Sequence, residues 1–174
     1  GDEEDDGGNS DSGNARAAIR PNPKNASTTI RVGSKNFTEQ KVLGEIYAQG
    51  LEAAGYKVTR KLSLGNEKAA QKALQDGDVD GYPEYTGTAL LSLCGVSTDD
   101  IPKDPALAFD ETKQCFAKDG LTAYPPTPFT SSNEVAVTQE TAERLELQKI
   151  SDLKGKDSKL TLYGSPECRE RTDC

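Results

Sequence analysis

Two short stretches of this chain each alternate like a strand, run into a polar loop, and pass directly into a helix start. That unit limits the fold more than any other feature. In the first, Thr29-Ile30-Arg31-Val32-Gly33 precedes a loop from Ser34 to Gln40, and Val42, Leu43, Ile46, Tyr47, Leu51 and Ala54 then recur at helical spacing. Thr38 reads as the N-cap, with Glu39 in the first turn where the helix dipole favours an acid. In the second, Val79 to Tyr82 is a short strand and Tyr82-Pro83-Glu84-Tyr85-Thr86-Gly87-Thr88 is the turn. A helix from Thr88 to Leu93 follows. Pro83 fixes the backbone before that helix, and Gly87 lets main chain approach a ligand closely. The turn gathers aromatic faces, hydroxyls and backbone N–H groups, and such strand-to-helix turns are where an open α/β sheet presents a ligand site.

The rest of the chain extends the pattern. Val58 to Leu64 alternates as a strand, and Glu67 to Gln75 is a helix stopped by Gly77 as a C′ glycine. Pro105 to Lys118 is a helix. The alternation predicts an α/β fold, a mostly parallel sheet flanked by helices. Tyr124 to Phe129 is a proline-rich crossover that forbids a helix. Beyond it, Glu134 to Thr138 and Leu160 to Tyr163 read as strands, Gln139 to Leu145 as a helix, and Ser151 to Gly155 as a helix start.

Composition narrows the function classes. A net charge of −8 offers no basic face for a phosphate backbone, so nucleic acid is not an expected partner. There is no polybasic membrane patch and no apolar run of membrane-spanning length. The chain has no histidine, which removes the commonest general base and the usual triads. Asp78 and Asp80 read as strand-edge polarity rather than an acid–base pair, and no phosphate loop is present. The expectation is a protein that is not an enzyme and takes no cofactor. Residues 1–27 are acidic, rich in Gly and Ser, and nearly free of apolar side chains before Ala17, a composition that predicts disorder. A tag or linker fits them, and so does a tether behind a lipid-anchored terminus, which is the reading preferred here. The four cysteines, Cys94, Cys115, Cys168 and Cys174, suggest disulfides between Cys94 and Cys115 and between Cys168 and Cys174, although four cysteines allow three connectivities. Zinc is the competing reading, but no histidine and no CxxC knuckle are available, so no metal site is expected.

Gly33-Ser-Lys-Asn-Phe-Thr-Glu-Gln40, Gly77-Asp78 and Tyr82-Pro-Glu-Tyr-Thr-Gly-Thr88 together resemble the substrate-binding proteins of osmoprotectant ABC transporters. Pro128-Phe129, Ile150 to Leu153, Pro166-Glu167, Arg169 and Arg171 follow in the family's order. The resemblance runs from about residue 28 to residue 174. It implies a type II periplasmic-binding-protein-like fold, with two lobes that close on a ligand at a hinge. On that plan residues 1–27 are a tether, 28–124 lobe one, 125–130 the hinge, and 131–174 the start of an apparently incomplete lobe two.

The family binds glycine betaine, choline, carnitine or proline betaine. A quaternary ammonium has no N–H to donate, so it is held by the negative faces of aromatic rings. A betaine carboxylate instead needs N–H and O–H donors, such as a helix N-terminus. The resemblance implies that Tyr85 is a cage tyrosine, that Gln40 contacts ligand at the first helix start, and that Thr88 stands where some relatives carry an acid that tunes specificity. Tyr82 is nearby, but strand alternation aims it away from Tyr85. Asn133 falls where many relatives place another cage tyrosine, a departure that makes a more polar or bulkier ligand plausible. From the residues alone, Tyr85 also fits a core tyrosine, Gln40 a solvated first-turn residue and Thr88 a plain N-cap. Lys35 and Glu39 read as solvated charges, and Glu84 as a partner for the turn backbone. The resemblance thus implies an extracytoplasmic solute-binding protein, a cell-surface lipoprotein, that delivers a quaternary ammonium to an ABC permease. The alternative is a binding or sensor lobe for another small polar solute, uncoupled from transport.

Overall fold

The computed structural model describes residues 19–132, 134–164 and 166–169. Asn133, Cys174, Arg171 and the acidic stretch up to residue 18 lie outside the described residues.

A short 3-10 turn, Pro23–Ser27, opens the chain and leads into strand β1, Thr29–Gly33. Helix α1, Thr38–Ala53, returns the chain to strand β2, Lys57–Lys61, which pairs with β1 in parallel from Thr29 opposite Lys57 to Gly33 opposite Lys61. Helix α2, Glu67–Gln75, is capped by the Asn66 side chain on the Ala69 N–H and followed by Gly77 at φ +73°. The chain then lies along the free edge of β1, bridging Gly81 to Val32 in parallel. β1 is therefore the central strand, and two parallel crossovers cover it with helices, as the sequence pattern predicts.

The third strand is shorter than expected: a single bridge stands where Val79 to Tyr82 was predicted. Two features stop it. The Asp80 carboxylate accepts the Arg31 N–H at 2.7 Å in place of a ladder carbonyl, and Pro83 has no N–H to offer. The same carboxylate takes Arg31 Nε at 2.9 Å and Nη2 at 2.6 Å, and the Gly77 carbonyl accepts from Nη1. The Asp80 carboxyl is held below the usual aspartate range, chiefly by these side-chain hydrogen bonds from Arg31.

The core is small. Val32, Val79, Ala70, Ala73, Ala48, Ala89, Leu90, Ala108 and Phe116 are buried. α1 packs only in part through the residues at helical spacing: Leu43, Leu51 and Ala54 are half-buried. Val42, Ile46 and Tyr47 are exposed, while Gln40, Gly44 and Ala48 face the sheet. The reason is close approach: a Cβ at Gly44 would meet Leu62 Cδ2 at 2.8 Å, Ser34 Cβ at 3.1 Å and the Gly33 carbonyl at 3.2 Å. Small residues let the helix backbone sit against β1, so its larger apolar side chains are displaced to the flank.

After β1's neighbour the chain forms α3, Thr86–Thr88, which continues as a π-helical turn, Ala89–Leu93. Its end at Cys94 is joined by a disulfide to Cys115 in α4, Pro105–Lys118. This is the predicted link between the two helices. Cys168 is also disulfide-bonded; the predicted partner Cys174 lies outside the described residues. The expected disorder of residues 1–27 does not extend through its last part. Asn22 N–H and the Asn25 side-chain amide both donate to the Ala54 carbonyl, at 3.0 and 2.8 Å, pinning the opening turn to the end of α1.

Past the proline-rich segment, α5, Gln139–Leu145, forms as predicted, with the Thr138 hydroxyl accepting from the Thr141 N–H. The strands expected at Glu134 to Thr138 and Leu160 to Tyr163 do not form. A strand needs a neighbour for its N–H and C=O groups, and no described segment pairs with either. Their apolar side chains are correspondingly exposed, Leu162 to 88% and Tyr163 to 87%. The predicted helix start at Ser151 to Gly155 is a 3-10 turn, Ile150–Leu153.

Candidate functional site

The two strand-to-helix turns identified in the sequence meet beside the C-terminal end of β1. Four residues of the first loop, Lys35, Phe37, Glu39 and Gln40, contact or adjoin Glu84 and Tyr85 of the second. Their convergence follows from the parallel crossovers, which bring both loops to the same edge of the sheet.

Lys35 is at the centre. It was expected to be a solvated charge, yet its side chain is only 2% exposed. Its ammonium forms an ion pair with Glu84 Oε1, whose side chain is 10% exposed. Nζ stands 4.6 Å from the centroid of the Tyr85 ring and 5.7 Å from that of Phe37. The two rings are stacked, with centroids 6.2 Å apart and planes 18° from parallel. An ammonium within about 6 Å of an aromatic face is attracted by the ring quadrupole. The arrangement is thus a cation site with two aromatic walls and one carboxylate.

Each wall is held in place. Glu84 Oε1 also accepts the Tyr85 N–H at 2.8 Å, the backbone contact expected for this acid. Tyr85 is the N-cap residue of α3, in extended backbone conformation at φ −104° and ψ 130°. Its hydroxyl donates to Glu39 Oε1, so Glu39 is not merely solvated. Burial first, then this carboxylate, pushes the Tyr85 phenol well above its ordinary value, while the Gln40 amide opposes the shift. The phenol stays protonated and keeps its donor role.

Gln40 is fully buried, which removes the reading of a solvated first-turn residue. Its Oε1 accepts the Lys35 N–H at 3.2 Å and fixes the loop. Its Nε2 is buried and makes no hydrogen bond of normal geometry among the described residues, and the same holds for Glu84 Oε2. A buried donor left in this state costs free energy unless a ligand or water takes it. It lies at the N-terminal turn of α1, where the helix dipole also favours an anion.

Thr88 is 8% exposed and is the third residue of α3 rather than its cap, one turn beyond Tyr85. Thr38 likewise is the first helical residue of α1 and not its cap, a position taken by Phe37. Tyr82 is half-buried. Its phenol is raised well above the ordinary value, first by burial, then by the charge of Glu84 and a side-chain hydrogen bond with it, and last by the charge of Glu67. Asn133 lies outside the described residues. Phe37 and Lys35 were not among the ligand contacts read from the sequence. The available signal was their position inside the same loop as Gln40, Phe37 three residues and Lys35 five residues before it. Among the described residues no group of three or more His, Cys, Asp or Glu is placed to hold a metal, and no helix is long and apolar enough to cross a membrane.

Comparison with known proteins identifies the family. Residues 28–174 match the family model described as the substrate binding domain of ABC-type glycine betaine transport systems. The chain is 38% identical over 125 residues to a glycine-betaine-binding protein of Pseudomonas aeruginosa, an alignment covering 72% of this chain and 39% of that protein. It is 30% identical over 155 residues to the glycine betaine-binding protein YehZ of Escherichia coli, covering 87% and 50%. The solved structure of apo YehZ superposes with a TM-score of 0.57 at 30% identity, over 84% of this chain and 53% of that one. The chain therefore spans about half the length of these relatives, or less. Its parallel strands and flanking helices have the periplasmic-binding-protein-like α/β architecture expected from the sequence. With a family model matched across most of its length, this chain belongs to the substrate-binding domain family of ABC-type glycine betaine transport systems.

Proposed function

We propose that the protein is an extracytoplasmic solute-binding protein that captures a quaternary ammonium osmoprotectant and delivers it to an ABC permease. The observation that carries this reading is the ammonium of Lys35 standing over Tyr85 and Phe37 beside buried Glu84. A site that already stabilises an alkylammonium on aromatic faces has the chemistry a trimethylammonium group needs. The buried Gln40 Nε2–H at the start of α1, which makes no hydrogen bond of normal geometry, supplies a donor for a betaine carboxylate. In this reading Tyr85 and Gln40 contact ligand, Thr88 and Tyr82 shape the wall behind Tyr85, and Asn133 and further cage residues belong to the second lobe. Residues 28–124 are lobe one, 125–130 the hinge, and the following residues part of lobe two. The names of the relatives, glycine-betaine-binding proteins, support the solute class. The Cys94–Cys115 disulfide supports an oxidising compartment outside the cytoplasm. The acidic segment before residue 19 is then a tether, consistent with a lipid-anchored protein at the cell surface.

Replacing Tyr85 tests the site. Tyr85→Ala in the full-length protein should weaken glycine betaine or choline binding by about 0.5–2 kcal/mol, the range of one cation–π contact. Tyr85→Phe, which keeps the ring and loses the hydroxyl's interactions with Glu39 and Gln40, should retain most of the affinity. Calorimetric titration reads both. Unchanged binding in folded Tyr85→Ala protein would place the cation elsewhere.

A further inference from the structure

Given the cation site proposed above, we propose that Lys35 is a specificity-determining residue that acts as an internal competitor. Its ammonium occupies the aromatic faces that an incoming quaternary ammonium needs, and the ligand must displace it.

The contacts define the competition. Lys35 Nζ lies 4.6 Å from the Tyr85 ring centroid, which is contact distance for the ring that would receive the ligand. The ammonium is not a loose surface charge that happens to point inward. It is 2% exposed, and its counter-ion Glu84 is anchored through the Tyr85 N–H at 2.8 Å. The main chain at Lys35 is also fixed. Its N–H donates to Gln40 Oε1 at 3.2 Å, and its carbonyl accepts from the Ser34 hydroxyl at 3.0 Å. Only the side chain is free to leave, and because it is tethered, its effective concentration at the rings is high and constant.

The consequence is discrimination. Two cations cannot share one ring face beside one carboxylate, because the like charges repel. A bare quaternary ammonium must displace Lys35 with nothing but its own ring contacts. A ligand that adds contacts elsewhere, through a carboxylate or hydroxyl, has a surplus with which to do so. An internal cation therefore rejects simple ammonium ions and passes larger solutes, a repulsive element that sharpens specificity. The residues explain why a lysine is needed: the stem reaches from the loop to the rings, and the ammonium carries the charge that matches Glu84.

The test uses tetramethylammonium, which has no carboxylate, titrated calorimetrically into full-length protein. Lys35→Ala/Glu84→Gln removes the competitor while leaving no unpaired buried charge, and the glutamine carbonyl can still accept the Tyr85 N–H. This variant should bind tetramethylammonium about 2- to 30-fold more tightly than the parent, the span of one cation–π contact. Adding Tyr85→Ala to the variant should abolish the gain. Equal or weaker tetramethylammonium binding by the folded double variant would overturn the competitor role, as would a gain that survives Tyr85→Ala. Glycine betaine titrated into the parent separates the two proposals. If the parent binds betaine but the double variant shows no gain, the competitor role falls and the solute class stands. If the parent binds no betaine while the variant gains tetramethylammonium, the competitor role stands and the solute class falls. If neither protein binds any ammonium, both fall.

Discussion

Lys35→Met should destabilise the protein by about 3–5 kcal/mol, because it strands Glu84 as an uncompensated buried charge. Lys35 and Glu84 are 2% and 10% exposed, so solvent does little to screen the loss. Methionine keeps an unbranched stem and removes the ammonium, which separates the charge from the packing. Lys35→Met/Glu84→Gln removes both charges at similar volume and should recover most of the stability, since a neutral replacement of a buried pair is often close to isoenergetic. Urea unfolding followed by circular dichroism measures both variants. A single variant within about 1 kcal/mol of the parent, well under the expected range for a broken buried pair, would show that the pair is solvated in solution.

Reduction of the Cys94–Cys115 disulfide should be the next largest effect. The bridge closes a separation of 21 residues, and the chain-entropy relation for a loop of this size gives roughly 3 kcal/mol. Cys94 ends the π-helical turn that begins directly after Thr88, with its N–H donating to the Ala89 carbonyl at 2.9 Å. The bridge thus ties the element carrying Tyr85 to α4. Cys94→Ser/Cys115→Ser protein should unfold at correspondingly lower urea, with the loss concentrated in the loop and helices between residues 94 and 115 by amide hydrogen exchange. No change in the urea midpoint would mean that packing of Leu90 and Phe116 alone holds these helices together.

The architecture was legible in the sequence where local pattern and packing agree. α2 and α4 begin and end where the sequence places them, because Asn66 and Asp104 cap them and Gly77 and Gly120 follow at positive φ. The Cys94–Cys115 link was legible from spacing. The strands at Val79, Glu134 and Leu160 were less so, because a strand exists only with a partner, and partnering is not a local property. At Val79 the Arg31–Asp80 contact takes over the ladder. The innermost face of α1 was not legible for a related reason: periodicity weights large apolar residues, whereas Gly44 and Ala48 set how closely the helix meets β1. At the site, Tyr85 and Gln40 were visible through their motifs. Lys35 was not, because a lysine is almost never fully buried unless it is paired, and its partner Glu84 lies 49 residues away. Phe37 was seen only as one letter of a motif, and its stacking on Tyr85 depends on the same long-range approach of two loops.

The central claim is that a positive charge, not merely a bulky apolar head, is what this site recognises. Glycine betaine and 3,3-dimethylbutanoate have nearly the same shape and the same carboxylate, and differ in one atom, the charged nitrogen against a neutral carbon. Calorimetric titration of the full-length protein with each ligand compares them directly. The Tyr85 and Phe37 rings predict that betaine binds and that the neutral analogue binds at least several-fold more weakly, in line with a cation–π contribution of about 0.5–2 kcal/mol. Equal affinity for the two ligands, or binding of neither, would contradict it.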